Sequence, residues 1–209
     1  MKHKLFYLLM TFVFAVFCAN IAETEHTLSR LEEGVLRLHI LANSDTDSDQ
    51  TVKYAVRDAL LARSSEWFAD APTRAQALEN LEAHLPQMEA IAKETLSALG
   101  LSDAVSASIC QTDFPARTYE TVTLPAGSYT ALRIEIGEAA GKNWWCVMYP
   151  SLCVPAAGCK TDNQARMAEH FDSAVCDMTA APEHYAIRLK CVEIWRGFKN
   201  WVQSRFFKS

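Results

Sequence analysis

Apolar and polar positions alternate through VLRLHIL, Val35 to Leu41, with Arg37 and His39 at every second place. A period of two predicts a strand with one face buried. The alternation ends at Asn43, and Asp45, Asp47, Ser48 and Asp49 follow as candidate helix N-caps whose negative charge complements the dipole of the next helix. That helix, about Asp49 to Arg63, sets Val52, Val56 and Leu60 on one face. A second helical region opens at Pro72 and Thr73 and runs to Leu99, with Gly100 placed to end it. Pro86 lacks the amide that an interior turn uses, which predicts a break or a kink. The period returns to two at Val105 to Cys110. Tyr119 to Leu124 and Tyr129 to Ile136 flank Pro125, Ala126, Gly127 and Ser128, the pattern of an antiparallel hairpin. Asn143 to Met148 adds a strand closed by Pro150. Beyond it come a polar helical region (Asp162 to Met178), a short extended segment (Tyr185 to Leu189) and an amphipathic helix at about 191–207. No repeat or low-complexity linker interrupts the chain. The pattern predicts an α+β fold: a single domain, 35–209, with an antiparallel sheet that includes a hairpin, packed by several helices.

The first residues have another layout. Lys2 and Lys4 precede an uncharged apolar run from Leu5 to Ala19, and the acidic Glu23 and Glu25 follow. This marks residues 1–22 as a signal peptide or membrane anchor. The run is shorter than the roughly 20 residues that cross a bilayer comfortably, which favours a cleaved signal. Ala19 and Ala22 are the candidate cleavage positions, although Phe17 and Asn20 stand where a small residue is preferred. The bulky Phe17 also argues against lipidation at Cys18.

Composition narrows the chemistry. With 209 residues, half of them hydrophobic, the chain can bury one sizeable core. Of the seven cysteines, Cys146 and Cys153 flank Pro150 and suit either a small disulfide-bridged loop or two buried thiols. No cysteine or histidine spacing suits zinc, so no metal and no cofactor is expected. Asp45-x-Asp47-x-Asp49 opens like a calcium loop, but Gln50 stands at the turn glycine and Val56 at the bidentate carboxylate. His39, Ser44 and Asp45 lack a nucleophile elbow, and no catalytic residues are assigned. A net charge of −5 argues against nucleic acid as partner. Arg57 and Asp58, adjacent on a helix, do not face each other, so no ion pair within the helix is implied. Trp144 and Trp145 offer aromatic area for an interface, and strand alternation sends one inward and one outward. From Arg188 to the C-terminus six basic residues stand against Glu193, a segment of +5 that leaves −10 on the remainder. Trp195, Phe198, Val202 and Phe206, widened by Ile194 and Trp201, form its apolar stripe. Such a helix either packs on the core or lies on a membrane surface.

Four segments carry a family resemblance: RLHILANSD (Arg37 to Asp45), VRDALL (Val56 to Leu61), LPAGSYTALR (Leu124 to Arg133) and GKNWWCVMYPSLC, ending at Cys153. They resemble stage II sporulation protein R. The chain departs from the pattern at Ser151, where a second proline is common, and at Val154, where an aromatic residue often stands. The resemblance implies a protein exported from the forespore to the intermembrane space, secreted or N-terminally membrane-anchored. Its partner there would be a membrane-embedded aspartic protease of the mother cell, which processes pro-sigma E. On that reading the candidate partner-binding residues are Arg37, His39, Asn43, Ser44, Asp45, Arg57, Asp58, Asn143, Trp144 and Trp145. The rival readings are an exported cell-wall or peptide hydrolase and a non-catalytic envelope structural protein.

Overall fold

The computed structural model describes residues 2–68, 71–152 and 162–206. The apolar run and the acidic stretch after it form one unbroken helix, α1 (Lys2–Gly34). There follow β1 (Leu36–Leu41), α2 (Asp47–Phe68), α3 (Arg74–Ala98), β2 (Val105–Phe114), β3 (Arg117–Tyr119), β4 (Val122–Leu124), β5 (Gly127–Ile136) and β6 (Asn143–Tyr149). The chain continues through α4 (Asn163–His170), α5 (Ser173–Ala180), a 3-10 turn (Pro182–His184) and α6 (Ala186–Phe206). The class is α+β.

The main sheet has the order β2-β5-β1-β6. Its outer pairs are antiparallel: β2 with β5, from Val105 opposite Ile136 to Phe114 opposite Gly127, and β6 with β1. The central pair, β1 and β5, is parallel, so the sheet is mixed. The turn residues 125–128 do not join hairpin partners. Glu120 takes a positive φ of 55° and folds Arg117–Leu124 back on itself as the small β3–β4 hairpin, while β5 returns to β2. Alternation marks a strand but not its neighbour, and long-range pairing decides that.

Every residue of β1 is buried, not only one face of it. Leu36, Leu38 and Ile40 join Val52, Val56 and Leu60 of α2 and Leu81, Met88 and Leu96 of α3 in the larger core cluster. The opposite face is covered by α1, β3–β4, α4 and α5, in a second cluster with Leu31, Phe114, Val122, Tyr129 and Val147. Both tryptophans of β6 are half-buried on opposite faces, because each face has a layer over it; neither is simply outward.

Local signals explain the helix ends. Thr73 caps α3 by accepting from the Gln76 amide, and Gly100 ends it at φ +76°, where its amide reaches the Ser97 carbonyl. Pro86 does not divide this helix. Both Glu82 and Pro86 are exposed, so the carbonyl that loses its partner faces water. The polar region 162–178 is two helices, separated where Phe171 is extended and Asp172 accepts from the amides of Ala174 and Val175. Residues 185–189, expected to be extended, belong to the turn and the start of α6.

The packed unit begins upstream of Val35. Thr24, Thr27, Leu28 and Leu31 of α1 are buried, whereas Leu5 to Phe17 are exposed. Among the described residues α1 is the helix long and apolar enough to cross a membrane. A cut after Ala19 would leave the packed half of α1 whole, whereas one after Ala22 would also remove Ile21, which packs with Leu28 and Val192.

Pro86→Ala restores a donor for the Glu82 carbonyl on an exposed helical face. It is expected to stabilise the domain by about 1–3 kcal/mol, which thermal unfolding would read as a rise of several degrees in Tm.

Candidate functional site

Where β1 ends, the polar loop turns onto the connection between β5 and β6. Asn43 joins the two: its Oδ1 accepts from the Glu138 amide at 2.9 Å, and its Nδ2 donates to Asp49 Oδ2 at 3.0 Å. Ser44 Oγ donates to the same Asp49 oxygen at 2.5 Å, and Asp45 Oδ1 accepts from the Lys142 amide at 2.6 Å. The backbone adds bonds from Gly141 to Ala42 and from Ala140 to Asn43. Gly137, at φ +58°, lies so close to the Asn43 side chain that a Cβ would collide with it. The buried Lys53 closes the far side, donating to Lys142 O at 3.1 Å and Gln50 Oε1 at 2.6 Å. Hydrogen bonds from Ser44 and Asn43 hold the Asp49 carboxyl below its ordinary range, and burial lowers Lys53. This clasp locks two loops together and occupies the polar atoms of Asn43 and Ser44 inside the molecule.

The two polar residues of β1 point into the other layer. Arg37 is fully buried, and no carboxylate among the described residues pairs with it. Its guanidinium lies 3.9 Å from the Phe114 ring centroid, 4.9 Å from Tyr129 and 5.8 Å from Tyr119, and donates to Tyr119 Oη at 2.5 Å. Nε and Nη1 have no partner. Three ring faces therefore stand where a counter-ion would be expected, each a cation–π contact worth up to about 2 kcal/mol when desolvated. His39 Nε2 donates to Asn143 Oδ1 at 3.0 Å, with Phe114 and Trp145 beside the ring. Burial pushes its pKa down. His39 is thus held by Asn143 and Ser44 by Asp49; the structure does not assemble them with Asp45 as a triad.

The exposed chemistry lies on α2 and the start of β6. Arg57 stacks on Trp144 at 5.3 Å and on Tyr54 at 4.9 Å. Contrary to the sequence expectation, Arg57 also pairs with its neighbour Asp58, Nη2 to Oδ1 at 2.6 Å, because the long arginine side chain reaches sideways to the adjacent carboxylate. Tyr54 is 42% exposed and Asp58 is open to solvent, so Tyr54, Arg57, Asp58 and Trp144 form a surface patch beside the clasp. On the opposite face of the sheet Trp145 carries Arg117 at 4.4 Å.

Tyr54 was legible in principle, three residues before Arg57 on the helix. Asp49, marked in the sequence as a helix cap, also anchors Asn43 and Ser44; the parts played by Lys53, Phe114, Tyr119 and Tyr129 were not legible, because only the tertiary fold brings Lys142 to Lys53 and the three rings to Arg37. Cys146 is buried and disulfide-bonded, and Cys153 lies outside the described residues. Cys18, Cys110, Cys176 and Cys191 are free thiols. No group of acidic, histidine or cysteine side chains suited to a metal occurs among the described residues.

Fold and site together define an α+β domain in which a β1–α2 clasp and an aromatic–arginine patch stand on a mixed sheet led by an apolar helix. The chain belongs to the family of stage II sporulation protein R, whose model matches residues 32–158. That span holds β1 through β6, the clasp and the patch. A stage II sporulation protein R of Bacillus subtilis (strain 168) is 38% identical over 123 residues, 59% of this chain and 55% of that protein. The chain thus spans about half the length of the curated relative it matches. No solved structure matches.

Two predictions follow from the buried side chains. Arg37→Met fills the space beneath the three rings and should leave stability within about 1 kcal/mol, while Arg37→Ala leaves a cavity and costs about 2–5 kcal/mol. Equal losses in urea unfolding would show that the charge itself holds the cage. The second concerns pH. The folded state binds a proton at His39 more weakly than the unfolded chain, whose imidazole titrates near 6.5. His39 therefore has no effect on stability well above that value and lowers it as pH falls below it, down to the depressed folded pKa. Between pH 7 and 5 the unfolding free energy of the parent should fall more steeply than that of His39→Gln.

Proposed function

We propose that this chain is an exported signalling protein of sporulation that activates a membrane-embedded aspartic protease of the mother cell, so that pro-sigma E is processed. The observation that carries this reading is the family match, which encloses the clasp and the exposed patch in one span. The apolar half of α1 suits export or anchoring outside the cytoplasm. Activation would be allosteric: the domain shifts the protease towards its active form only by binding that form better than the resting one.

The residues divide by role. Arg57, Trp144 and Tyr54 are the contact candidates, because arginine and large aromatics at a half-desolvated surface are the residue types that dominate interface energies. Asn43, Ser44 and Asp45 act through the clasp, which holds Trp144 at the correct height above α2. Arg37 and His39 act through the core beneath it.

The test is co-expression of the chain, with and without residues 1–22, beside the membrane protease and pro-sigma E in a non-sporulating bacterium. Precursor conversion should require the exported form. Trp144→Ala and Arg57→Glu should each weaken activation by about 30-fold or more, equivalent to about 2 kcal/mol of binding, without loss of secreted protein. Conversion by a chain lacking the export segment, or none with the chain exported and folded, would overturn the reading.

A further inference from the structure

Helix α6 is turned opposite to its sequence pattern. The aromatic stripe does not face the protein: Trp195, Phe198 and Trp201 are 47%, 53% and 57% exposed, and Ile187 and Ile194 are exposed with them. The rings of Trp195, Phe198 and Trp201 stack in succession, with centroids 6.1 Å apart. The face that meets α1 combines Leu189 and Val192 with charge. Arg196 binds Glu32 at 2.9 Å and Ser29 at 3.0 Å, and Lys199 binds Glu25 at 2.9 Å. The helix is thus docked partly by ion pairs, and its stacked aromatic face is left outward, the kind of exposed apolar surface that marks an interaction site.

The pairing also fixes direction. Later residues of α6 meet earlier residues of α1, so the two helices are antiparallel and α6 runs towards the apolar end of α1. At 1.5 Å per residue, Phe206 lies about 10 Å beyond Lys199 and reaches the level of Cys18, inside the apolar run. Trp201 falls near the level of Glu23, about 6 Å outside Ala19. A headgroup layer is about 5–7 Å deep on each side of the hydrocarbon, the depth at which tryptophan collects in membrane proteins.

We propose that the exposed Trp195–Phe198–Trp201 face is a membrane-interface anchor: it seats in the headgroup layer of the bilayer that receives the apolar half of α1, with Trp201 deepest. A tilt of α1 towards α6 of the order of 20°, as is common for spanning helices, brings Phe198 to the same layer, while Trp195, about 9 Å back along α6 from Trp201, stays at its outer edge. The two helices then form one wedge that fixes the domain close to the lipid surface, independently of what the domain signals to.

Tryptophan fluorescence tests this directly, because α1 contains no tryptophan and Trp67 is fully buried. The full chain is reconstituted into phosphatidylglycerol–phosphatidylethanolamine vesicles with and without lipid brominated near the headgroup end of its acyl chains. Bromolipid should quench the emission, and Trp201→Phe, which keeps the ring and the fold, should remove at least half of the quenched intensity. Absence of quenching, or quenching unchanged in Trp201→Phe, would overturn the proposal. Energy transfer between donor- and acceptor-labelled chains that Phe198→Glu abolishes, without lipid quenching, would overturn it in favour of a second copy on this face.

Discussion

β1 is held between β5 and β6 with a helical layer over each face, and most other elements take their position from that enclosure. A strand buried on both faces cannot send its odd residues to water. Leu36, Leu38 and Ile40 meet α2 and α3, while Arg37 and His39 must be accommodated in the second layer. They are accommodated by aromatic rings and by Asn143, and so Phe114, Tyr119 and Tyr129 converge where they do. Isolated charge in an apolar interior is costly, and three ring faces with one phenol oxygen offset part of that cost.

The same enclosure generates the surface. Because β1 must stop under the β5–β6 connection, its trailing loop is clasped there by Asn43, Asp45 and Asp49, and α2 starts from a fixed point. The helix then presents Tyr54 and Arg57 beside Trp144 of β6. Core and patch are therefore coupled: what holds the strand also sets the spacing of the exposed aromatic and cationic groups.

At the opposite end, α1 and α6 form an assembly of different character, in which ion pairs face inward and aromatic rings face outward. Half of α1 belongs to the folded domain and half projects beyond it, so the boundary between the apolar run and the domain falls within a single helix. Continuity of the helix makes the distance between domain and apolar run short and stiff, unlike a flexible linker.

The chain's own pattern was enough to determine the α+β class, the existence and type of most helices and strands, the caps at Thr73 and Gly100, the apolar leading segment and the motifs that mark the family. These are local properties, set by periods of two and 3.6, by capping chemistry and by composition. Tertiary structure alone decided that β5 pairs with β2 and runs parallel to β1, that Pro86 is tolerated, that Arg37 and His39 lie in the core, and that the aromatic face of α6 is open. Strand alternation looks the same for an edge and a central strand, and an amphipathic stripe does not state which of two faces a neighbour will cover. Both were settled by partners far away in the chain: the layer over β1 in one case, and the carboxylates of Glu25 and Glu32 in the other.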